Sequence, residues 1–359
     1  MILSSQDVLA QLSNAAGTSG HEDEVRAIVR QQLTGLAEFA TDQLGSLICC
    51  KQGGNDAPKV MLAAHLDEVG LIVRYLTHDG FVKFHPLGGW WEHTLLAQAV
   101  TIKTAKGDVP GVIGAKPIHH LKDAERKNLL DIADMFIDVG AKDKQEAMEE
   151  FGIAPGDHIV PRTGFLPLRN PRLVSGKAFD DRVGVALLID ALRSLAEQDH
   201  PNTVYGVGTV QEEVGIRGAK TAVEQVDPDV AIVLEGTPAD DFPGANRDEA
   251  QGVVGQGPQI RLFDPTMITN RKFAQFVIVT AQACQLPHQV AVRTGGGTDA
   301  KAIQLHRCGV PTIVLGVPVR YAHSHVGILS LDDYEQTLQL LLALLKRLDA
   351  GTVASLTEF

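Results

Sequence analysis

Four short runs along the chain are almost wholly apolar and are fenced by turn-forming residues: PKVMLAAH (58–65), TVYGVGTV (203–210), DVAIVLE (229–235) and PTIVLGVP (311–318). Unbroken apolar runs of this length, without polar alternation, predict strands covered on both faces. Between and after them lie longer stretches with apolar residues at helical spacing: DRVGVALLIDALRSLAEQ (181–198), GTDAKAIQLHRCG (297–309) and LDDYEQTLQLLLALLKRL (331–348). These predict helices packed on the sheet. Two further helices are expected at 4–17 and 19–36, behind a Ser or Gly and early acids. The alternation stops after His65. From about 71 to 168 the pattern turns to short strand-like pieces, TIKTAKGDVPGVIGAKP, FIDVGA and PGDHIV, punctuated by Gly and Pro, with one charged helical candidate, DKQEAMEEFG. The chain is therefore expected to be α/β, a mixed sheet flanked by helices. One domain would run through 1–70 and 169–359, and a β-rich, barrel-like domain would be inserted at 71–168.

Bulk properties narrow the field. At 359 residues the chain exceeds the size of a single growing core, and 44% hydrophobic residues suffice to fill one. A net charge of -12, with no basic run, argues against nucleic acid as a partner. No stretch approaches the ~18 apolar residues of a membrane span. Cys49, Cys50, Cys284 and Cys308 lack CxxC spacing, and a reducing, cytoplasmic setting is the expectation.

Five separated pieces end in residues able to bind a divalent metal: His65 and Asp67 in AAHLDEVG, Asp180 in AFDDR, Glu212 and Glu213 in VQEEVG, Glu235 in IVLEG, and His323 in RYAHSH. Alone, each has a plainer explanation. Asp180 and Asp181 suit a helix start, Glu212 and Glu213 a solvated pair, and either His323 or His325 could be a surface residue. Their placement joins them. Open α/β sheets bind ligands beyond the carboxyl ends of their strands, where His65, Glu212–Glu213 and Glu235 all fall. His323 follows its strand by a short loop. A histidine, three carboxylate sites and a histidine in one crevice read as a two-metal hydrolase, in which ions about 3.5–4 Å apart share a water. Arg293 and Arg320 flank the same crevice and can bind an acidic side chain, although ordinary ion pairing explains them as well.

The order AHLDEVG, AFDDRVG, QEEVGIRGA, VLEG and RYAHS, supported by GVIGAKPIHHL, MFIDVGA, PGDHIV and GGGTDAKAIQ, resembles the tetrahedral aminopeptidases of metallopeptidase family 42 through most of the chain. The resemblance implies a fold of the dinuclear zinc-peptidase type and a metal-dependent aminopeptidase acting on short peptides. It implies two divalent ions, zinc or cobalt, with His65 on one, His323 on the other and Asp180 bridging; Glu213 and Glu235 would complete the two shells. Asp67 would orient His65, Glu212 would be the general base, and the Asp180–Asp181 peptide would be cis. It also implies dimers, built by the inserted domain, that assemble into a tetrahedral dodecamer. Two departures stand out: Glu235 occupies a position often held by Asp, and His325 and Gly327 replace an expected Pro and Glu. A deacylase-type two-metal amidohydrolase, a glycoside hydrolase working through two carboxylates, and a scaffold that has lost catalysis are the competing readings.

Overall fold

The computed structural model describes residues 3–123 and 125–358. The four apolar runs form neighbouring parallel strands in the order Thr203–Thr209, Lys59–His65, Val230–Pro238 and Thr312–Arg320. Antiparallel strands extend the sheet on both sides: Leu47–Lys51 and Glu38–Thr41 beyond the first, Gly327–Ser330, Leu173–Gly176 and Leu166–Pro167 beyond the last. The sheet is thus mixed, as expected. A branch that the apolar pattern does not announce, Gln259–Asp264, pairs antiparallel with Thr312–Arg320 and carries Met267–Ile268 and Gln289–Val292.

Burial on both faces explains why the parallel strands lack polar alternation. In Lys59–His65, Val60, Leu62 and Ala64 enter one core while Met61 and Ala63 enter the other. The larger core lies under helices Ser5–Asn14, Phe179–Leu195, Arg271–Ala283 and Leu331–Leu345, the smaller under Arg217–Val226 and Ala300–Ile303. The last of these is only one turn, shorter than the spacing of 297–309 suggests. Helix Phe179–Leu195 is buried nearly all round, because Ser5–Asn14 and Leu331–Leu345 cover the side that faces away from the sheet. Asp190, the acid in its middle, accepts from the Tyr334 hydroxyl at 2.6 Å.

Strands Gly70–Leu76, Val82–Leu87, Phe136–Asp138, Gly107–Gly114, Ala99–Thr104 and His158–Pro161 close, in that spatial order, into a six-stranded antiparallel barrel. Leu71, Val73, Ile102, Ile113, Ile137 and Ile159 fill its interior. Closure removes the unpaired edges that short strands would otherwise expose.

The long buried helix sits directly on the sheet at Gly206, where an added Cβ would lie 2.7 Å from Leu192 Cδ1 and 3.0 Å from Leu188 Cδ2. Gly206→Val is expected to destabilise the protein by about 1–3 kcal/mol through overpacking, read as a lower urea midpoint with an unchanged slope.

Candidate active site

The carboxyl ends of the parallel strands open into a crevice of about 1130 Å³, whose lining includes His65, Asp180, Glu212, Glu213, Glu235 and His323. Asp180 divides it. Its Oδ1 lies 3.1 Å from His65 Nε2, which is 4.0 Å from Glu235 Oε2; its Oδ2 lies 3.4 Å from His323 Nε2, which is 3.4 Å from Glu213 Oε1. The geometry thus makes two groups, His65–Asp180–Glu235 and Asp180–Glu213–His323, with ligand atoms within 4.8 Å of one another. Glu212 lines the crevice outside both.

Each imidazole is oriented from behind. His65 Nδ1 meets the Asp67 backbone carbonyl at 3.0 Å, and His323 Nδ1 meets the Gly89 carbonyl at 2.8 Å. A carbonyl can only accept, so Nδ1 carries a proton in both rings and Nε2 is the nitrogen turned to the crevice, the one able to ligate when it is unprotonated. The Asp67 carboxylate, wholly buried, accepts from the Ser19 hydroxyl at 2.6 Å and from the Glu212 and Glu213 amides at 3.0 and 3.1 Å. Burial opposes its ionisation, but His65, Ser19 and the Glu212 amide outweigh that and hold it below the usual range. Asp67 therefore fixes the loop that presents both glutamates, besides standing 3.4 Å from His65 Nδ1.

Asp181 belongs to neither group. It accepts from the amides of Gly184 and Gly236 at 3.0 Å and of His65 at 3.1 Å, tying three ligand-bearing segments together; the Asp180–Asp181 peptide is cis. Beneath it, Glu68 receives Lys177 at 2.6 and 2.8 Å and Arg182 at 3.2 Å, all three almost fully buried. Arg182 also donates to the Leu66 carbonyl. This ion cluster staples the turn after His65 to the segment carrying Asp180.

The electrostatics suit cations. Burial, despite His323, pushes Glu213 up to about 7, and burial with Asp181 raises Glu235 well above the carboxylate range. Burial opposes a charge on His323, yet its bond to Asp180 and the charge on Glu213 push it up to about 10. Carboxylates that resist ionising beside imidazoles drawn toward protonation mark a surplus of negative charge. Glu213 Oε1 is buried without a hydrogen-bond partner. Imidazole and carboxylate donors with this convergence fit divalent ions of the Zn, Co, Ni or Mn kind.

His325 is not in either group. It is buried against Trp90, ring centroids 5.1 Å apart, with neither nitrogen hydrogen-bonded to a described residue. Arg293 lines the crevice but is paired with Asp240 at 2.6 Å; Arg320 is not among the lining residues and is paired with Asp241. Three features escaped the sequence reading. Glu68, Lys177 and Arg182 flank known motifs but look like surface charges. Asp299, 1% exposed, bonded to the Thr209 hydroxyl and pushed up to about 6 by burial, sat unassigned in GGGTDA. Arg261 was signalled only by a cation inside the strand-like QIRLFD.

A family model for M42 glutamyl aminopeptidases matches residues 45–340. The chain belongs to the M42 peptidase family. The family makes it a metal-dependent aminopeptidase, a hydrolase of peptide bonds. A solved TET aminopeptidase from the marine sediment archaeon Thaumarchaeota archaeon SCGC AB-539-E09 superposes with a TM-score of 0.96 at 46% identity, covering 98% of this chain and 99% of that one. The glutamyl aminopeptidase of Lactococcus lactis is 34% identical over 98% of this M42 chain and 99% of its own. The TET1 peptidase of Pyrococcus horikoshii, which can assemble into a tetrahedron or a large octahedral shell, superposes with a TM-score of 0.85 at 32% identity, covering 96% of this chain and all of its own.

The barrel reaches this M42 site through Gly88 and Gly89. Gly88 has φ +84°, and an added Cβ would lie 2.7 Å from Val69 Cγ1 and 3.1 Å from Glu213 Oε2. Gly88→Ala is expected to weaken divalent-ion binding at the Glu213–His323 group about tenfold or more, the scale for a disturbed supporting contact. Calorimetric titration with Zn²⁺, alongside an unchanged circular dichroism spectrum, checks it.

Proposed function

We propose that this aminopeptidase removes N-terminal residues from short peptides with two divalent ions, zinc or cobalt, held by His65, Asp180 and Glu235 on one side and by Asp180, Glu213 and His323 on the other. The observation that carries this reading is Asp180, whose two oxygens face the two histidine–glutamate groups. Ions bound there would acidify an attacking water and polarise the substrate carbonyl. Glu212 takes the proton from that water and hands it to the leaving amine; its position in the crevice wall, next to a ligand but outside both groups, supports this role. Burial, then Asp299, Glu235 and Glu213 against the opposing charge of His65, raises its proton affinity well above that of an ordinary glutamate, as a base working near neutrality requires. Asp67 orients His65 and the Glu212–Glu213 turn and touches no substrate. Arg293 and Arg320 are left a lesser part, because each already has a carboxylate partner.

The division of labour follows the chain: 1–70 and 169–359 carry the chemistry, and the barrel at 71–168 carries assembly. Trp91 on the barrel is 60% exposed and Ile118 likewise, which suits a surface made for another subunit. A homo-oligomer of dimers closing into a tetrahedral dodecamer is the form proposed, in keeping with the shells formed by the Pyrococcus horikoshii relative. The four cysteines are all unbridged, which accords with a reducing, cytoplasmic setting. No described helix is long and apolar enough to cross a membrane.

Glu212→Gln should retain two ions per chain by elemental analysis but lose about 10²–10⁴-fold in kcat on aminoacyl anilides, whereas Glu213→Gln should lose ion content as well. Near-normal turnover by Glu212→Gln would remove it as the base. Hydrolysis of an N-acetylated anilide as fast as of the free-amine form would favour a deacylase instead. In solution, light scattering should give a mass many times the 38.5 kDa of one chain; a monomer at working concentration would contradict the assembly.

A further inference from the structure

Glu22 makes none of the contacts that its place in the chain suggests. It stands directly before helix Asp23–Leu33, where a short acid would cap the first amides, yet its side chain makes no capping bond. The residue is only 2% exposed. A single oxygen, Oε1, accepts from the Gly20 amide at 2.7 Å and, from 189 residues further along the chain, the Gln211 amide at 3.1 Å.

Gln211 directly precedes Glu212 and Glu213. Its φ of 56° lies in the left-handed region, which a residue with a side chain disfavours. Three successive amides pin this turn to two buried carboxylates: Gln211 donates to Glu22, and Glu212 and Glu213 donate to Asp67 at 3.0 and 3.1 Å. The Ser19 hydroxyl, donating to Asp67 at 2.6 Å, ties the 19–22 segment to the second carboxylate. On the far side, the Gly215 and Ile216 amides close on the Glu212 carbonyl at 3.0 and 2.8 Å. Asp67 therefore anchors both glutamates together, whereas Glu22 acts one residue upstream, on the torsion that sets the direction in which the chain enters Glu212. Because both amides meet the same oxygen, an uncharged acceptor of equal reach can serve them.

We infer that Glu22 is a positioning residue for the reaction: it holds Gln211 in its left-handed conformation and so aims Glu212 into the crevice. It touches no substrate. The inference rests on the reading of Glu212 as the general base.

The test follows turnover of an aminoacyl anilide by the full, ion-loaded chain, together with amide hydrogen exchange across 209–216. Glu22→Ala should lower kcat about 10–100-fold, the scale for a misaimed catalytic group, with KM and ion content unchanged and exchange at Gln211 faster. Glu22→Gln keeps an oxygen at the same reach and should return most of the turnover. Glu22→Asp keeps the charge but is one methylene short, and should return less. Adding Gln211→Gly to Glu22→Ala should regain part of the loss, since glycine takes a positive φ without strain. A tie that served stability alone would not rank Glu22→Gln above Glu22→Asp in kcat. Normal kcat in Glu22→Ala, a loss confined to KM or to ion content, or Glu22→Asp outperforming Glu22→Gln overturns the inference. If exchange quickens while kcat holds, Glu212→Gln separates the two readings: normal turnover there removes Glu212 as the base, and lost turnover overturns the positioning by Glu22. Should Glu22→Ala fail to fold, the order of Glu22→Gln and Glu22→Asp decides.

Discussion

Everything in this molecule is arranged around a concentration of negative charge where charge is hardest to keep. Asp67, Asp180, Asp181, Glu212, Glu213, Glu235 and Asp299 converge at one end of the sheet, where His65 and His323 are the imidazoles set among them. Each uncompensated carboxylate taken out of water costs several kcal/mol, so the fold meets the cost in layers. Backbone amides hold Asp67 and Asp181, the buried Lys177 and Arg182 add positive charge below, and the carboxylates left facing the crevice are the ones with no protein partner good enough. The residual imbalance is what a divalent ion relieves, so folding and ion binding share one source of free energy.

The reading of the sequence succeeded where local pattern and topology coincide. Both-face burial shows as an unbroken apolar run, and a polar residue at the downstream end of such a run has few places to be except the crevice; His65 and Glu235 were legible for that reason. It faltered where spatial neighbours are distant in sequence. Gln259–Asp264 lies outside the regular strand–helix alternation, and nothing local says that its partner is the edge of Thr312–Arg320, more than fifty residues on. The order of the barrel strands, with Phe136–Asp138 between Val82–Leu87 and Gly107–Gly114, is set by closure and not by any local propensity. Nor can a charged letter reveal its burial: Glu68, Lys177 and Arg182 read as solvated residues, and only their mutual contact allows them inside.

The barrel is also less separate from the chemistry than a domain map suggests. The Gly89 carbonyl fixes the His323 tautomer, and the Trp90 indole donates to the Gly70 carbonyl at 3.0 Å while its ring covers His325. The place where a Pro was expected thus holds a histidine that serves as packing between the two units. Any contact that shifts the 88–90 segment acts on His323 directly, so a partner docked on the barrel would also tune the site.

Asp180 has one further consequence. Since a single carboxylate belongs to both groups, ions held by the two as proposed could not bind as independent events. An ion on the His65 side would draw charge from the shared carboxylate and so weaken the hold of the other side, while the same ion would fix the orientation that the other side needs. Thermodynamic linkage would oblige the net effect to be mutual: the first ion would alter the affinity for the second by the same factor as the second alters that for the first. Such a pair would be one cooperative unit, with a sign of cooperativity set by how rigidly the chain already holds that one side chain.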